Sequence, residues 1–168
     1  MAKLSRVYWD SCAWLGLLNG EADKKRDLGV VYSNASRGLC EIWTSTLSIL
    51  EARRLDSENQ DAKPLSATNL KIIRDVFRQP YVKMIPMSLD ISEHARDLVR
   101  TTPNLAKWQD AVHLASALRW DSAIFHTYDK KDLLHLSNCF ACRNGVLLPI
   151  TYPSETAYGP LFTQAKQG

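Results

Sequence analysis

One short stretch near the N-terminus decides the fold: Arg6-Val7-Tyr8-Trp9-Asp10-Ser11. Its apolar middle is typical of a buried strand, and Asp10 or Ser11 can cap a helix that begins directly after it. A helical run of apolar residues follows, and Gly20 predicts the end of that helix. The stretch therefore predicts a β-α unit with an acidic side chain at the carboxyl end of the strand.

The same alternation of strand and helix patterns continues along the chain. Strand-like segments occur at 40–44, 81–85, 123–127 and 145–150, with helical patterns between almost all of them. Long crossovers of this kind connect parallel strands and place helices on both faces of the sheet. The sequence therefore predicts a three-layer α/β/α sandwich with a central parallel sheet of about five strands. The last strand is expected at an edge, because Pro149 cannot donate a hydrogen bond to a neighbour.

Length and composition limit the class of protein. The chain has 168 residues, 45% of them apolar and 23% charged, which fits a compact fold and excludes wholesale disorder. We expect one domain over residues 1–152 and a C-terminal tail over 153–168. No apolar run reaches the ~18 residues of a membrane span, and the N-terminus lacks the apolar core of a signal peptide. We therefore expect a cytoplasmic protein that has no membrane partner. The net charge of +3 is compatible with nucleic acid without arguing for it.

Four cysteines are present, at positions 12, 40, 139 and 142. Their wide spacing does not match the disulfide framework of a small secreted domain. Cys139 and Cys142 form a C-x-x-C pair, and a structural zinc site usually has a second close pair. Reduced, partly buried thiols are the expected state, with a zinc site and a redox pair as alternatives.

Four carboxylates converge in the predicted fold. Asp10 and Asp129 follow the first and fourth strands. Glu51 lies on the helix after the second strand, and Asp110 lies near the start of the helix before the fourth. Open α/β sheets bind ligands at the edge formed by the carboxyl ends of their strands. Each acid taken singly is explained by a turn, a helix cap or a solvated charge. Together they repel one another unless a cation lies between them, and oxygen ligands suit Mg²⁺ or Mn²⁺.

Two of these acids need special geometry. Glu51 is six residues beyond Ser45, roughly 9 Å along a helix axis if Ser45 is the cap. That helix must therefore tilt or begin late for the side chain to reach the others. Asp110 shares a helix face with His113, which is an inward or rim position where Asp is rarely left without a partner.

Four motifs in this order resemble the PIN-domain ribonucleases, and within that family the small VapC-type toxins. They are VYWDS at 7–11, TSTLSILE at 44–51, DAVHLASA at 110–117 and TYDKKDL at 127–133. The resemblance runs from the first strand to about Leu136. It implies the three-layer fold and a metal-dependent endoribonuclease that hydrolyses RNA, with Mg²⁺ or Mn²⁺ as cofactor.

The resemblance also implies roles for individual residues. Asp10, Glu51, Asp110 and Asp129 would bind the metal and be the catalytic residues, with the choice between one ion and two left open. Their polar neighbours, which would hold carboxylates or water, are Ser11, Ser45, Thr127 and, as a further acid, Asp132. A VapC-type toxin further implies a homodimer and a small antitoxin that covers the acids.

An acidic site needs basic residues around it to bind RNA, because the acids repel the phosphate backbone. The candidates are Lys24, Lys25, Arg26, Arg53, Arg54, Lys130 and Lys131, and a solvated charged face is the alternative for each. Trp14, Trp43 and Trp108 are able to stack on bases, although their spacing favours the core. His113 is expected to pack or to donate one hydrogen bond rather than to act as a general base.

Two other classes of function stay open at this point. A PIN-like domain that has lost catalysis would be an RNA-binding or scaffold module, and the presence of all four acids argues against it. A phosphoryl-transfer or receiver-type domain would also have an acidic pocket. A haloacid-type phosphatase needs a second Asp two residues after the first, where this chain has Cys12.

Overall fold

The computed structural model describes residues 3–58 and 66–154. Its strands are β1 (Ser5–Trp9), β2 (Cys40–Ser45), β3 (Val82–Ile85), β4 (Ile124–His126) and β5 (Ile150–Thr151). Its helices are α1 (Ser11–Asn19), α2 (Lys25–Ser36), α3 (Leu47–Glu51), α4 (Ala67–Phe77), α5 (Leu89–Thr101) and α6 (Trp108–Arg119). Short 3-10 helices lie at Asp56–Glu58 and Leu134–Leu136. The predicted tail lies outside the described residues from position 155 onward.

The five strands form one parallel sheet in the order β3-β2-β1-β4-β5. The strand β1 is central, where Val7 is in register with Ile42 on one side and Ile124 on the other. One core lies between the sheet and α1, α2 and α4, and the other between the sheet and α3, α5 and α6. The predicted three-layer α/β/α sandwich is confirmed.

The two cores follow from alternation along β1. Val7 and Trp9 face the α1 side, where the Trp9 ring lies 4.8 Å from that of Trp14. Tyr8 faces the α6 side, where its ring lies 4.8 Å from that of Phe125. All three β1 side chains are fully buried, as expected for a strand covered on both faces.

The two ends of α1 are formed by the residues that the sequence predicts, Asp10 and Gly20. The Asp10 carboxylate caps α1, since its Oδ1 accepts a hydrogen bond from the Ala13 N–H at 3.1 Å. Gly20 ends α1 in the left-handed region, with φ of 63°. The strand β5 lies at an edge as predicted, but it begins only after Pro149, whose carbonyl accepts from the Phe125 N–H.

Two apolar residues depart from their predicted burial. Trp108, whose spacing favours the core, is 55% exposed. The apolar pattern of α4 predicts an inner position for Leu70, which is 60% exposed. Within the described ranges, no helix combines the length and apolar character that crossing a membrane requires.

Candidate metal centre

Three carboxylates converge at the carboxyl edge of the sheet. Asp110 lies in the first turn of α6, and Asp129 and Asp132 lie in the loop after β4. One oxygen from each lies within 4.8 Å of the other two. We call these residues the three-acid cluster.

The loop after β4 folds so that Asp132 joins the cluster. The Asp129 Oδ1 accepts hydrogen bonds from the N–H groups of Lys131, at 3.0 Å, and Asp132, at 2.8 Å. This Asx-type turn brings the chain back on itself three residues after Asp129. Asp132, predicted as a neighbour of the metal ligands, therefore contributes an oxygen to the cluster itself.

Asp10 is tied to the cluster through Thr127. The Thr127 hydroxyl donates to Asp10 Oδ2 and accepts from the Asp129 N–H at 2.9 Å. Burial raises the pKa of Asp10, while the charge of His113 and the hydrogen bond from Thr127 oppose that rise. One hydroxyl therefore joins the carboxyl ends of β1 and β4.

Glu51 reaches the same edge because α3 begins late. The helix starts at Leu47, so Glu51 is its fifth and last residue. Its Oε2 lies 2.7 Å from Nε2 of His113, on α6. Glu51 is thus held beside the three-acid cluster rather than within it, and the charge of Glu51 still raises the pKa of Asp10.

The thiol of Cys12, on α1, is influenced by the charges of all four predicted acids. Burial raises the pKa of Cys12, and the charges of Asp10, Asp129, Asp110 and Glu51 raise it further. Each of these carboxylates therefore lies near enough to act on this thiol. A thiol in such surroundings keeps its proton and is a poor nucleophile.

Lys107 is a member of the site that sequence reasoning missed. Its Nζ lies 2.7 Å from Asp132 Oδ2, 3.3 Å from Asp129 Oδ2 and 3.6 Å from Asp110 Oδ2. The contact with Asp132 is the largest cause of its raised pKa. The side chain is 56% exposed, so its ammonium reaches the cluster from the solvent side. The only sequence signal is a Lys three residues before an Asp at a helix start, which many surface helices share.

The three-acid cluster has the chemistry of a site for a hard divalent cation. Asp110 Oδ2 is buried and accepts no hydrogen bond from the described residues, and the ammonium of Lys107, 3.6 Å away, is an ion-pair partner only. Burial raises the pKa of Asp110 to about 6, and the charges of Asp129 and Asp10 add to this rise while Lys107 opposes it. Closely spaced carboxylate oxygens, one of them without a donor, fit Mg²⁺ or Mn²⁺, which prefer oxygen ligands.

The cluster also contains one carboxylate that stays ionised easily. Burial disfavours the charge of Asp129, but the N–H of Asp132 and the ammonium of Lys107 outweigh it. The pKa of Asp129 is therefore lowered. Two neighbouring carboxyls, Asp110 and Asp129, thus have pKa values shifted in opposite directions, which is typical of functional sites.

The two predicted serines lie at the starts of helices. The Ser45 hydroxyl oxygen accepts a hydrogen bond from the Leu47 N–H at 3.2 Å, at the beginning of α3. Ser11 is the first residue of α1 and is half-buried.

The predicted basic residues separate into two groups. Lys24, Lys130 and Lys131 line a depression together with Cys12 and Asp129. The other four are exposed, at the start of α2 and after α3: Lys25, Arg26, Arg53 and Arg54. The first group therefore borders Asp129 directly.

Fold and site together define a parallel α/β domain with a carboxylate pocket at the carboxyl edge of its sheet. The family model of the PIN domain matches residues 7–137. The chain therefore belongs to the PIN domain family, and the predicted family is confirmed.

Solved structures share this fold. VapC20 of Mycobacterium tuberculosis, described as a sarcin–ricin loop cleaving toxin, has a TM-score of 0.57 at 15% identity, covering 74% of this chain and 90% of its own. VapBC2 of Rickettsia felis, bound to a DNA fragment from its promoter, has a TM-score of 0.54 at 11% identity, covering 86% and 98%. No curated protein sequence matches significantly. At these identities the two structures establish a shared fold.

Proposed function

We propose that the protein is a metal-dependent endoribonuclease that hydrolyses RNA phosphodiester bonds, and that it is the toxin of a toxin–antitoxin pair. One observation carries this proposal. Carboxylate oxygens of Asp110, Asp129 and Asp132 meet within 4.8 Å, and the buried Asp110 Oδ2 has no hydrogen-bond donor among the described residues. Membership of the PIN domain family and the fold shared with VapC toxins support the same activity.

The proposed metal ligands are the carboxylates of Asp10, Glu51, Asp110, Asp129 and Asp132. When bound, Mg²⁺ or Mn²⁺ supplies Lewis acidity that activates water and offsets the negative charge developing on the phosphate. The protein fixes two of the ligands through other groups. Thr127 holds the Asp10 carboxylate, and the N–H groups of Lys131 and Asp132 hold that of Asp129. Outer contacts of this kind orient metal ligands and tune their basicity.

The lysines beside the acids give the RNA backbone a place to bind. Lys24, Lys130 and Lys131 border the same depression as Asp129, so a phosphate chain passing the cluster would meet positive charge on that side. Lys24 Nζ also lies 4.8 Å from the ring centre of Tyr128. The remaining proposed RNA-binding residues are exposed at the start of α2 and after α3: Lys25, Arg26, Arg53 and Arg54.

Likeness to VapC-type toxins also suggests the partners that we propose. A small antitoxin covers the acids, and the protein forms a homodimer in the cytoplasm. The VapBC2 neighbour, bound to promoter DNA, supports an antitoxin partner by analogy of fold. We propose that residues 1–152 form the nuclease domain and that 153–168 are its tail.

A catalytically inactive PIN-like module is the second candidate, and Lys107 favours it. Its ammonium already offsets part of the negative charge of the three-acid cluster, which stabilises a domain that has no metal. Such a module would bind RNA or serve as a scaffold without cleaving it.

Incubation of the purified protein with total RNA separates the two candidates. The nuclease hypothesis predicts cleavage with Mg²⁺ or Mn²⁺ and none with a chelator, and the new 5′ ends locate the cut. Because the proposed attack is by water, the 3′ ends should lack a 2′,3′-cyclic phosphate. Binding of RNA with unchanged fragment lengths in Mn²⁺ would favour the inactive module.

A further inference from the structure

A buried hydrogen-bond chain runs from the central strand to Glu51. His113 is fully buried within α6, and both of its ring nitrogens have partners. Nε2 lies 2.7 Å from Glu51 Oε2, and Nδ1 lies 2.8 Å from the Tyr8 hydroxyl. The imidazole therefore bridges two layers of the fold, whereas packing or one hydrogen bond was expected from the sequence.

Tyr8 is a rigid anchor for this chain. Its hydroxyl accepts a hydrogen bond from the Ser45 N–H at 3.1 Å, and its ring packs against Phe125. Burial raises the pKa of Tyr8 well above its usual range, so the hydroxyl stays neutral. Tyr8, at the end of the hydrogen-bond chain opposite Glu51, is thus fixed by the two adjacent strands β1 and β2.

The direction of the hydrogen bond at Glu51 follows from its chemistry. An ionised carboxylate can only accept, so Nε2 of His113 is the donor. This holds whichever way the Tyr8 hydroxyl proton points. The ring cannot turn freely either, because turning it would break the bond of Nδ1 to Tyr8.

Within residues 3–58 and 66–154, His113 is the only hydrogen-bond donor to the Glu51 carboxylate. Glu51 ends a helix of only five residues, and its side chain is 23% exposed. A Glu side chain loses up to about 1.5–2 kcal/mol of rotamer entropy when it is fixed in one position. A charge-assisted hydrogen bond from a ring that is itself fixed holds the carboxylate before any ligand arrives.

We propose that His113 is a positioning residue that, anchored by Tyr8, holds the Glu51 carboxylate in place for a divalent cation. The inference rests on the proposed metal-dependent function. It adds a residue that does not itself touch the metal or the RNA. The Glu51 carboxylate would then be held in the site by a side chain that lies 62 positions away in the sequence.

Two substitutions of His113 separate positioning from packing. In His113→Gln the amide nitrogen falls near the place of Nε2, so a donor to Glu51 is kept. In His113→Asn the amide falls near Nδ1, so the contact with Tyr8 is kept and the donor to Glu51 is lost. We expect His113→Asn to weaken Mn²⁺ binding about ten-fold or more, and His113→Gln to stay within about three-fold of wild type.

The readout is Mn²⁺ affinity measured by isothermal titration calorimetry, with RNA cleavage measured in parallel. Both variants are also tested in a Glu51→Gln background. If His113 acts through Glu51, His113→Asn has no further effect on Mn²⁺ affinity there. Losses that multiply in the double variant, or an equal loss in His113→Gln and His113→Asn, would overturn the proposal. If His113→Asn fails to fold, Tyr8→Phe replaces it in the same cycle, and a loss that persists without Glu51 likewise overturns the proposal.

The outcome is distinguishable from failure of the proposed function. A wild-type protein that binds Mn²⁺ but leaves RNA intact overturns the ribonuclease, and the binding cycle still decides the role of His113. A wild-type protein that cleaves RNA while His113→Asn keeps full Mn²⁺ affinity overturns only the positioning role. Absence of Mn²⁺ binding to the wild-type protein overturns both.

Discussion

Two halves of the acidic site are stabilised in different ways. Asp10 and Glu51, which we call the anchored acids, accept hydrogen bonds from neutral or buried protein groups, Thr127 and His113. Within the part of the chain that the structure describes, the three-acid cluster has backbone N–H donors at Asp129 alone, and its charge is partly offset by the ammonium of one half-exposed side chain, that of Lys107. One half is therefore built into the fold, and the other has a counter-ion that can leave.

The difference shows how an acidic site can exist before its metal binds. Hydrogen bonds to the anchored acids are part of the cap of α1 and of the packing between α3 and α6, so their removal affects folding. In the three-acid cluster, burial and then the charges of Asp129 and Asp10 raise the pKa of Asp110 to about 6, so ionising this carboxyl group in the folded chain opposes folding. We expect substitutions in the two halves to affect cleavage alike and stability in opposite directions.

The largest expected effect compares Asp10→Ala with Asp110→Ala. Each should lower Mn²⁺-dependent cleavage at least about 100-fold, since even the outer partners of metal ligands can cost that much. The metal-free melting temperature should fall in Asp10→Ala, because an N-cap contributes about 1 kcal/mol, equivalent to about 2–4 °C in a chain of this length. It should be unchanged or higher in Asp110→Ala. A cleavage assay and calorimetric melting without metal test this contrast, and equal losses of stability would show that the two halves do not differ.

Much of the fold and the gathering of the acids could be predicted from the sequence. Parallel topology follows from alternating strand and helix patterns, and it sends the ends of β1 and β4 to one edge together with Asp10 and Asp129. Asp110 follows from the same rule, because its helix runs antiparallel to the strands and begins at that edge. These inferences need only the direction of each element, which periodicity and helix caps supply.

Contacts between side chains on different elements could not be predicted in this way. The bond between Glu51 and His113 depends on how α3 packs against α6, and the entry of Asp132 depends on the turn after β4. Lys107 is one of 21 basic residues, and nothing in the sequence singles it out. The exposure of Trp108 was missed for a related reason, since periodicity gives a helix face but not the extent to which neighbours cover it.

A second prediction concerns the counter-ion of the three-acid cluster. In Lys107→Gln no ammonium has to leave before Mn²⁺ binds, so Mn²⁺ affinity should rise about five-fold. This factor corresponds to about 1 kcal/mol, which is reasonable for several ion pairs of a half-exposed lysine. Titration calorimetry measures the change, and Lys25→Gln, at an exposed position of α2, is the matched control that should leave affinity unchanged. Weaker binding in Lys107→Gln would mean that Lys107 supports the metal site instead of competing for it.

The smallest expected effect is the pH dependence of stability in the metal-free protein. The pKa of Asp110 is about 6 in the folded chain and 3.8 in the reference state, so folding favours the protonated carboxyl. The stabilising contribution of that proton is complete below about pH 4 and is lost as the pH rises through 6. Burial raises the pKa of Asp10 as well, so that residue acts in the same direction.

We therefore expect the metal-free wild-type protein to melt about 2 °C lower at pH 7.5 than at pH 5, roughly 1 kcal/mol for a chain of this length. In Asp110→Asn the difference should shrink, because the titrating group is gone. Mn²⁺ in excess should reverse the trend in the wild-type protein, since a carboxylate must lose its proton to bind a metal. A profile that Asp110→Asn leaves unchanged would show that repulsion within the three-acid cluster does not limit stability, and that both halves of the site are anchored.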